Sequence, residues 1–340
     1  MPYGTPSAPT KTTELTTTAA PKLSGPLQSL KGIGKLAVSR DGSLLATLTG
    51  FGTSVFEVWN LSDGTAKRKI ELPNPVQGMA ISSDNRFLAA THGKSDGPKT
   101  FSVWNLETGE AVAEHEVVQA GESRFSGDVQ FSSDGKQAVC SAVVALASID
   151  VDSGELRLLE VSKAATFEGA YFGNIACSPT DGNIALAVVG GNGSSIQIRD
   201  LGSFEESVSI KPRVTAMKLG FSLDGKTFVA VCASGEIRAW NASTGEATAA
   251  IKDRTARIVL TQLFSVSPDG RFAVSRALNP SDLYIWDLGE ETRLELGPDM
   301  VKIRFRDFTF MPGGRLAGAA FGQSIQFFDV TKLKPASSAK

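Results

Sequence analysis

The chain is predicted to be all-β, a seven-bladed β-propeller of four-stranded antiparallel blades, and three observations carry that expectation. A polar turn such as SRDG at 39–42 returns seven times, marked by Asp41, Asp84, Asp134, Asp181, Asp224, Asp269 and Gly313, at gaps of 43, 50, 47, 43, 45 and 44 residues. Each turn is followed by a pair ending in Asp or Asn: Trp59-Asn60, Trp104-Asn105, Ile149-Asp150, Arg199-Asp200, Trp240-Asn241, Trp286-Asp287 and Phe328-Asp329. Between these marks lie runs of five to eight β-forming residues, with no amphipathic helical window. A repeat of this length means units that cannot bury their faces alone, and a closed ring of face-to-face sheets satisfies all of them.

The elements follow in chain order. Residues 1–24, rich in Thr, Pro and Ala, read as a disordered tail. The strand-like segment 22–30 is assigned to the outer edge of the last blade, closing the ring and removing an unpaired edge, because the residues after Asp329 are short and polar. The propeller then spans 25–333, and 334–340 read as a flexible tail. In the second unit the strands read GMAIS at 78–82, RFLAAT at 86–91, TFSVWN at 100–105 and EAVAEHEV at 110–117. The Asx of each pair should accept backbone N–H bonds and close the next turn. Gly64, Gly109, Gly154 and Gly245, five residues after the first member of their pairs, should supply a positive φ there. The four tryptophans are filler between blades.

Composition excludes several classes of function. Apolar residues at 41% and charged ones at 21% are those of an ordinary globular chain, and a net charge of −2 argues against bulk attraction to nucleic acid or anionic membrane. No apolar stretch is long enough to span a bilayer. Cys140, Cys177 and Cys232 sit in strand-like runs without CxxC spacing and read as buried core residues in a reducing, cytoplasmic setting. His92, read as lying in a loop, and His115, in an outer strand, belong to no ligand cluster or triad. KGIGK, ending at Lys35, lacks the remainder of a phosphate loop, and GGNG at 190–193 reads as a hairpin tip. Asn60, Asn192 and Asn241 open N-x-S sequons but read as turn residues. One Asp per turn does not make a calcium loop. No catalytic residue, cofactor or metal is expected.

The segment FSVSPDGRFAVS at 264–275 followed by LYIWDL at 283–288, with FSSDGK, FSLDGK and the VWNL segments, resembles the WD-repeat (WD40) β-propeller family over residues 25–333. The departures are specific. Glycine-histidine pairs are absent, WN replaces WD in three units, and Ile149 and Arg199 stand where two more tryptophans belong. The resemblance implies a propeller without the family's Asp-His-Ser/Thr-Trp hydrogen-bond network, and a scaffold for protein–protein interaction.

Length variation is confined to the connections between strands b and c and between strand d and the next strand a. Those connections share one face of a propeller, and the regular turns share the other. In the d–a connections twelve basic residues stand against five acidic ones. A partner surface for a protein or acidic peptide is therefore assigned to Arg124, Phe125, Phe167, Tyr171, Phe172, Arg254, Arg257, Arg304 and Arg306. Two alternatives remain open. One is an enzyme or small-ligand sensor at the channel mouth, which would need polar groups on inner strands that read as apolar and small. The other is nucleic-acid binding on the basic face.

Overall fold

The computed structural model describes residues 30, 32–50, 54–118, 127–142, 145–160, 170–190, 193–211, 215–232, 234–252, 264–276, 283–296, 304–320 and 325–335. Seven antiparallel sheets follow one another along the chain, six of four strands and a seventh in which three strands are described. In every sheet the spatial order of strands is the sequence order, so each pairs with the next through a hairpin. The second blade illustrates the pattern, with strands a to d at Val76–Ile81, Phe87–His92, Lys99–Asn105 and Ala111–Val118. These lie within two residues of the expected bounds. Among the described residues helical structure is confined to a 3-10 turn at Val330–Lys332.

Burial explains the change in composition across a blade. Strand b is covered on both sheet faces by neighbouring blades, and Phe87–His92 is buried at every position. Strand d lies on the outer rim, where Ala111–Val118 alternates between buried and open positions. The tryptophans fill the space between blades, with Trp59, Trp104, Trp240 and Trp286 at 4, 6, 3 and 0% exposure. Two of the four indoles have a hydroxyl partner in the strand beside them. Trp59 Nε1 donates to Thr47 Oγ1 at 3.0 Å and Trp286 Nε1 to Ser275 Oγ at 3.2 Å. The strand registers put Ala90 and Ala230 at the same place in the second and fifth blades.

The turn between strands a and b is held by a serine two residues before the aspartate. Ser39, Ser82, Ser132, Ser222 and Ser267 donate to Asp41, Asp84, Asp134, Asp224 and Asp269 at 2.5–2.7 Å. Each serine oxygen also accepts the N–H five residues on, at 2.8–3.0 Å. The aspartate takes the N–H two residues on, closing the loop from both sides. Partial burial pushes the Asp41 carboxyl up, but bonds from the Ser43 N–H, the Ser39 and Ser43 hydroxyls and the Asn85 amide outweigh it and hold the group at about 2. In the fourth blade the turn has the same length, but Thr180 stands where the other blades have aspartate, and Asp181, one residue later, accepts the Asn183 N–H at 3.0 Å.

The c–d turns behave as expected in most blades. Asn105, Asp150, Asp200, Asn241, Asp287 and Asp329 accept backbone N–H bonds from the residues that follow. Asn60 differs, its amide donating to Thr65 Oγ1 at 3.0 Å, while Asp63 takes the Thr65 N–H as the hydroxyls of Thr108, Ser153, Ser203 and Thr244 take the corresponding N–H in other blades. Gly64, Gly109, Gly154 and Gly245 have φ of 71, 82, 74 and 72°, and Phe204 and Glu291 occupy the same slot at 63 and 51°.

Closure joins the first and seventh blades. Asp307 Oδ2 accepts the Leu36 N–H at 2.8 Å. Leu36, Trp59, Met311, Ala317 and Ile325 form one buried cluster, against which Leu30 and Phe327 pack. The closing strand assigned to 22–30 lies, apart from Leu30, outside the described residues, as does the tail at 1–24. The start of the C-terminal tail is fixed rather than loose. The Glu295 N–H donates to the Lys334 carbonyl at 2.8 Å and Leu294 pairs with Pro335, tying 334–335 to the sixth blade.

Candidate functional site

Strand a runs from the d–a connection towards the turn, so its first residues lie at the loop end of the ring. The inner strands are Lys35–Val38, Val76–Ile81, Val129–Phe131, Tyr171–Cys177, Ala216–Phe221, Phe264–Val266 and Phe305–Phe310. Four residues before the turn serine, or Met311 in the seventh blade, stand Lys35, Gly78, Asp128, Asn174, Lys218 and Asp307. All six line a channel of about 390 Å³. The expectation of inner strands that are uniformly apolar and small is therefore corrected. Position by position they alternate, and one position carries charge.

These groups are not idle. Lys218 Nζ reaches Asp128 Oδ1 at 3.0 Å and Oδ2 at 3.2 Å, joining the fifth blade to the third across the channel. The two side chains are only 13 and 18% exposed, so water screens their attraction weakly. Asn174, buried at 5%, uses Oδ1 to accept the Leu219 N–H at 2.9 Å, as Asp307 does for Leu36. Ser265 Oγ accepts the Phe310 N–H at 3.0 Å in the same way, so among the described residues a side-chain acceptor in one blade caps a backbone donor in the next three times around the ring.

A pinned loop borders this mouth. Lys99 is buried at 4%, and its ammonium donates to the carbonyls of Lys94, Ser95 at 3.1 Å and Gly97 at 3.0 Å. Gln77 Nε2 donates to the Gly93 carbonyl at 2.9 Å. The b–c connection at 93–99 is therefore shaped by its own lysine and tied to an inner strand. Neither Lys99 nor the ring position was singled out from the sequence. Aligning the seven inner strands on their serines would have exposed the ring.

The predicted partner residues divide. Arg304 is exposed and makes no ion pair among the described residues. Arg306 and Tyr171 are half-buried at the loop ends of inner strands, in Phe305–Phe310 and Tyr171–Cys177. Phe172 is a correction. It is 2% exposed and packs with Val139, Leu146, Leu186 and Val188 between the third and fourth blades. Adjacent strand residues face opposite sides, so Tyr171 and Phe172 cannot share a surface. Arg124, Phe125, Phe167, Arg254 and Arg257 lie outside the described residues.

His92 is also corrected, from loop to the end of a strand. It is 4% exposed and hydrogen-bonded through Nε2 to Ser102 Oγ at 2.9 Å. Burial lowers its pKa against the opposing charge of Glu114. His115 Nε2 donates to the Gly154 carbonyl at 2.9 Å, linking the outer strand of the second blade to the third. Cys140 and Cys232 are buried, Cys177 is partly so, and burial pushes all three thiols up, the last two to about 12. Thiolate chemistry is thereby disfavoured at each. Among the described residues no group of three His, Cys, Asp or Glu side chains could hold a metal ion, and no helix is long and apolar enough to cross a membrane.

The architecture defines a seven-bladed β-propeller with a charged channel mouth at its loop end. Among solved structures it is similar to the β-propeller domain of Cps50 (Swd1) from Myceliophteria thermophila, at 15% identity and a TM-score of 0.67, over 88% of this chain and 97% of that one. No protein-family model and no curated protein matches the sequence. The propeller implied by the WD-repeat resemblance is the fold found, and the lack of a family match agrees with a divergent sequence.

Proposed function

We propose that this propeller is a non-catalytic scaffold that holds a protein or acidic peptide against its loop face. The observation that carries the reading is Arg304, an exposed arginine without an ion pair among the described residues, three residues before the channel-lining Asp307. Arginines of this kind supply much of the binding energy at interfaces, because the planar guanidinium matches a carboxylate in two bonds. The pinned 93–99 connection supports the same reading. A loop already ordered by Lys99 loses little entropy when a partner docks. The d–a connections at 119–127 and 253–262 would add Arg124, Arg254 and Arg257 to that face. A cytoplasmic setting fits the free cysteines.

The test is affinity capture with mass spectrometry, comparing the native chain with Arg254→Glu/Arg257→Glu and with Arg304→Glu. Loss of the same captured protein in both variants supports the reading, and undiminished capture by both removes it.

A second reading is favoured by the polar channel itself, which has room for a small polar ligand between Lys35, Asn174 and Asp307. A metabolite screen by thermal shift separates the two. A saturable hit abolished by Asn174→Leu would favour the channel.

A further inference from the structure

The turn end of the ring carries a second surface, on the side opposite the loop face. One residue after each turn serine, or after Met311, come Arg40, Ser83, Ser133, Pro179, Leu223, Pro268 and Pro312. Around the ring this position is polar through three blades and apolar through the next four. Where the apolar arc meets the first blade opens a socket of about 140 Å³, walled by Phe221, Leu223, Val266, Pro268, Phe310 and Pro312 and bordered by Arg40 with Val38 and Ser39. An apolar cavity of about 150 Å³ is large enough to take up benzene, so this one has room for a single apolar side chain.

Leu223 stands at the rim, 37% exposed, one of two large apolar side chains so exposed among the described residues. Its backbone is not loose. The Leu223 N–H donates to the Pro268 carbonyl at 2.7 Å, which fixes the turn of the fifth blade against that of the sixth. The leucine is thus presented on a rigid support, and folding leaves it uncovered.

Charge says what would cover it. The c–d turns at 60–65, 105–110, 150–155, 200–205, 241–246 and 287–292 hold twelve Asp or Glu and no Lys or Arg. The a–b turns nearer the channel pair their charges locally, as Asp224 does with Lys226 at 4.0 Å and Asp84 with Arg86 at 3.8 Å. The turn face is therefore near neutral at its centre and acidic at its periphery through the first six blades, whereas the seventh carries Lys332 and Lys334 against Asp329. From inner to outer strand is three steps of about 4.8 Å, a distance crossed by about four or five extended residues.

We propose that the turn face docks a basic peptide segment of a partner protein, with one apolar side chain in the socket beside Leu223. Lysines or arginines four or five residues away reach the acidic c–d turns. An acidic segment is repelled by the periphery, and so is nucleic acid. This surface is distinct from the loop face, and either can fail without the other.

The experiment pans a random 12-residue phage-displayed peptide library on the purified full chain and counter-selects on the Leu223→Glu variant. Recovered inserts should be net basic, with Leu, Phe, Met or Trp four or five residues from Lys or Arg. Synthetic copies of them should bind at least about tenfold more weakly to Leu223→Glu, from loss of the apolar contact. Binding should also weaken several-fold in Glu290→Lys/Glu291→Lys, a pair of rim changes remote from the core. Circular dichroism melts show whether each variant is folded, and the rim variant carries the test if Leu223→Glu is not. Failure to enrich such inserts, enrichment of acidic ones, or full binding by the folded variants overturns the proposal.

Discussion

The Lys218–Asp128 pair should hold the ring together across its own channel, and a double-mutant cycle measures how strongly. The ammonium lies 3.0 and 3.2 Å from the two carboxylate oxygens, with both side chains largely out of water. At an effective dielectric of about 20, unit charges about 3 Å apart attract by about 5–6 kcal/mol, and desolvation of both groups offsets much of this. Removing one partner leaves the other charge stranded. Lys218→Met keeps the apolar stem and should cost about 3 kcal/mol, the lower end of the range for a buried pair because some water reaches this one. Asp128→Asn should cost about 2 kcal/mol, and the double variant little more than either single one, giving a coupling of about 2 kcal/mol.

Urea unfolding of the four proteins, followed by tryptophan fluorescence, reads the cycle. The coupling should also change little between about 0.05 and 0.5 M NaCl, whereas an exposed pair would be screened away. A coupling below about 0.5 kcal/mol, or one erased by salt, would refute the view that this pair is a strut between the third and fifth blades.

Four further outcomes can be checked by unfolding or melting. Gly78→Ala should cost about 3 kcal/mol, since a Cβ there would lie 1.7 Å from the Gly127 carbonyl oxygen and neither backbone can give way. Glu291→Gly should be neutral to stabilising by about 0.5 kcal/mol, because relief of the left-handed strain at φ 51° slightly exceeds the added entropy of glycine. The depressed carboxyls of Asp41, Asp134 and Asp224 contribute stability that is whole above the usual carboxylate pKa and is lost as pH falls through the folded values. For Asp41 that window runs from 3.8 down to about 2, and Asp41→Asn should flatten the acid limb of a melting curve there. If 22–30 completes the seventh blade, deleting 1–30 should lower stability and deleting 1–20 should not; equal melting temperatures would exclude that strand.

How much of this was legible in the sequence follows from which forces are local. A turn is set within six residues, so Asp41 and its counterparts, the Asx of the c–d turns and the glycine at positive φ all repeat visibly. The serine that completes the a–b turn is equally visible in FSSDGK and FSLDGK, but it carries no charge to set it apart from other loop serines. The loop-end ring depends on contacts that local reading cannot reach. Asp128 meets Lys218 across 90 residues and Leu36 meets Asp307 across 271, and each such contact exists only once the circle closes. Read strand by strand, a single Lys or Asp among alanines and valines averages to an apolar segment.

Phe172 failed for a different reason. Read from the sequence, Tyr171 and Phe172 fall together on the connections, whereas strand a begins at Tyr171, and the period of two then sends the second aromatic into the core.

The two ends of the ring also divide the work between stability and recognition. At the turn end, one hydrogen-bond pattern returns in five blades, and a change to any member would unmake a turn. Repetition there leaves the residue after the serine free to vary, which is where Leu223 and the prolines appear. At the loop end the position four before the serine, or Met311, is Lys, Gly, Asp, Asn, Lys, Leu and Asp in chain order, and no two neighbouring blades share it. A ring held by one repeated device can tolerate that variety, because its blades are already joined by buried strands and tryptophans. Specificity can therefore be written in single positions on either face without rebuilding the core. It follows that substitutions at Leu223 or Arg304 should alter binding with little change in melting temperature, whereas Ser222→Ala, one residue from Leu223, should lower it by orphaning the Thr227 N–H and leaving Asp224 with the Lys226 N–H but without its hydroxyl donor.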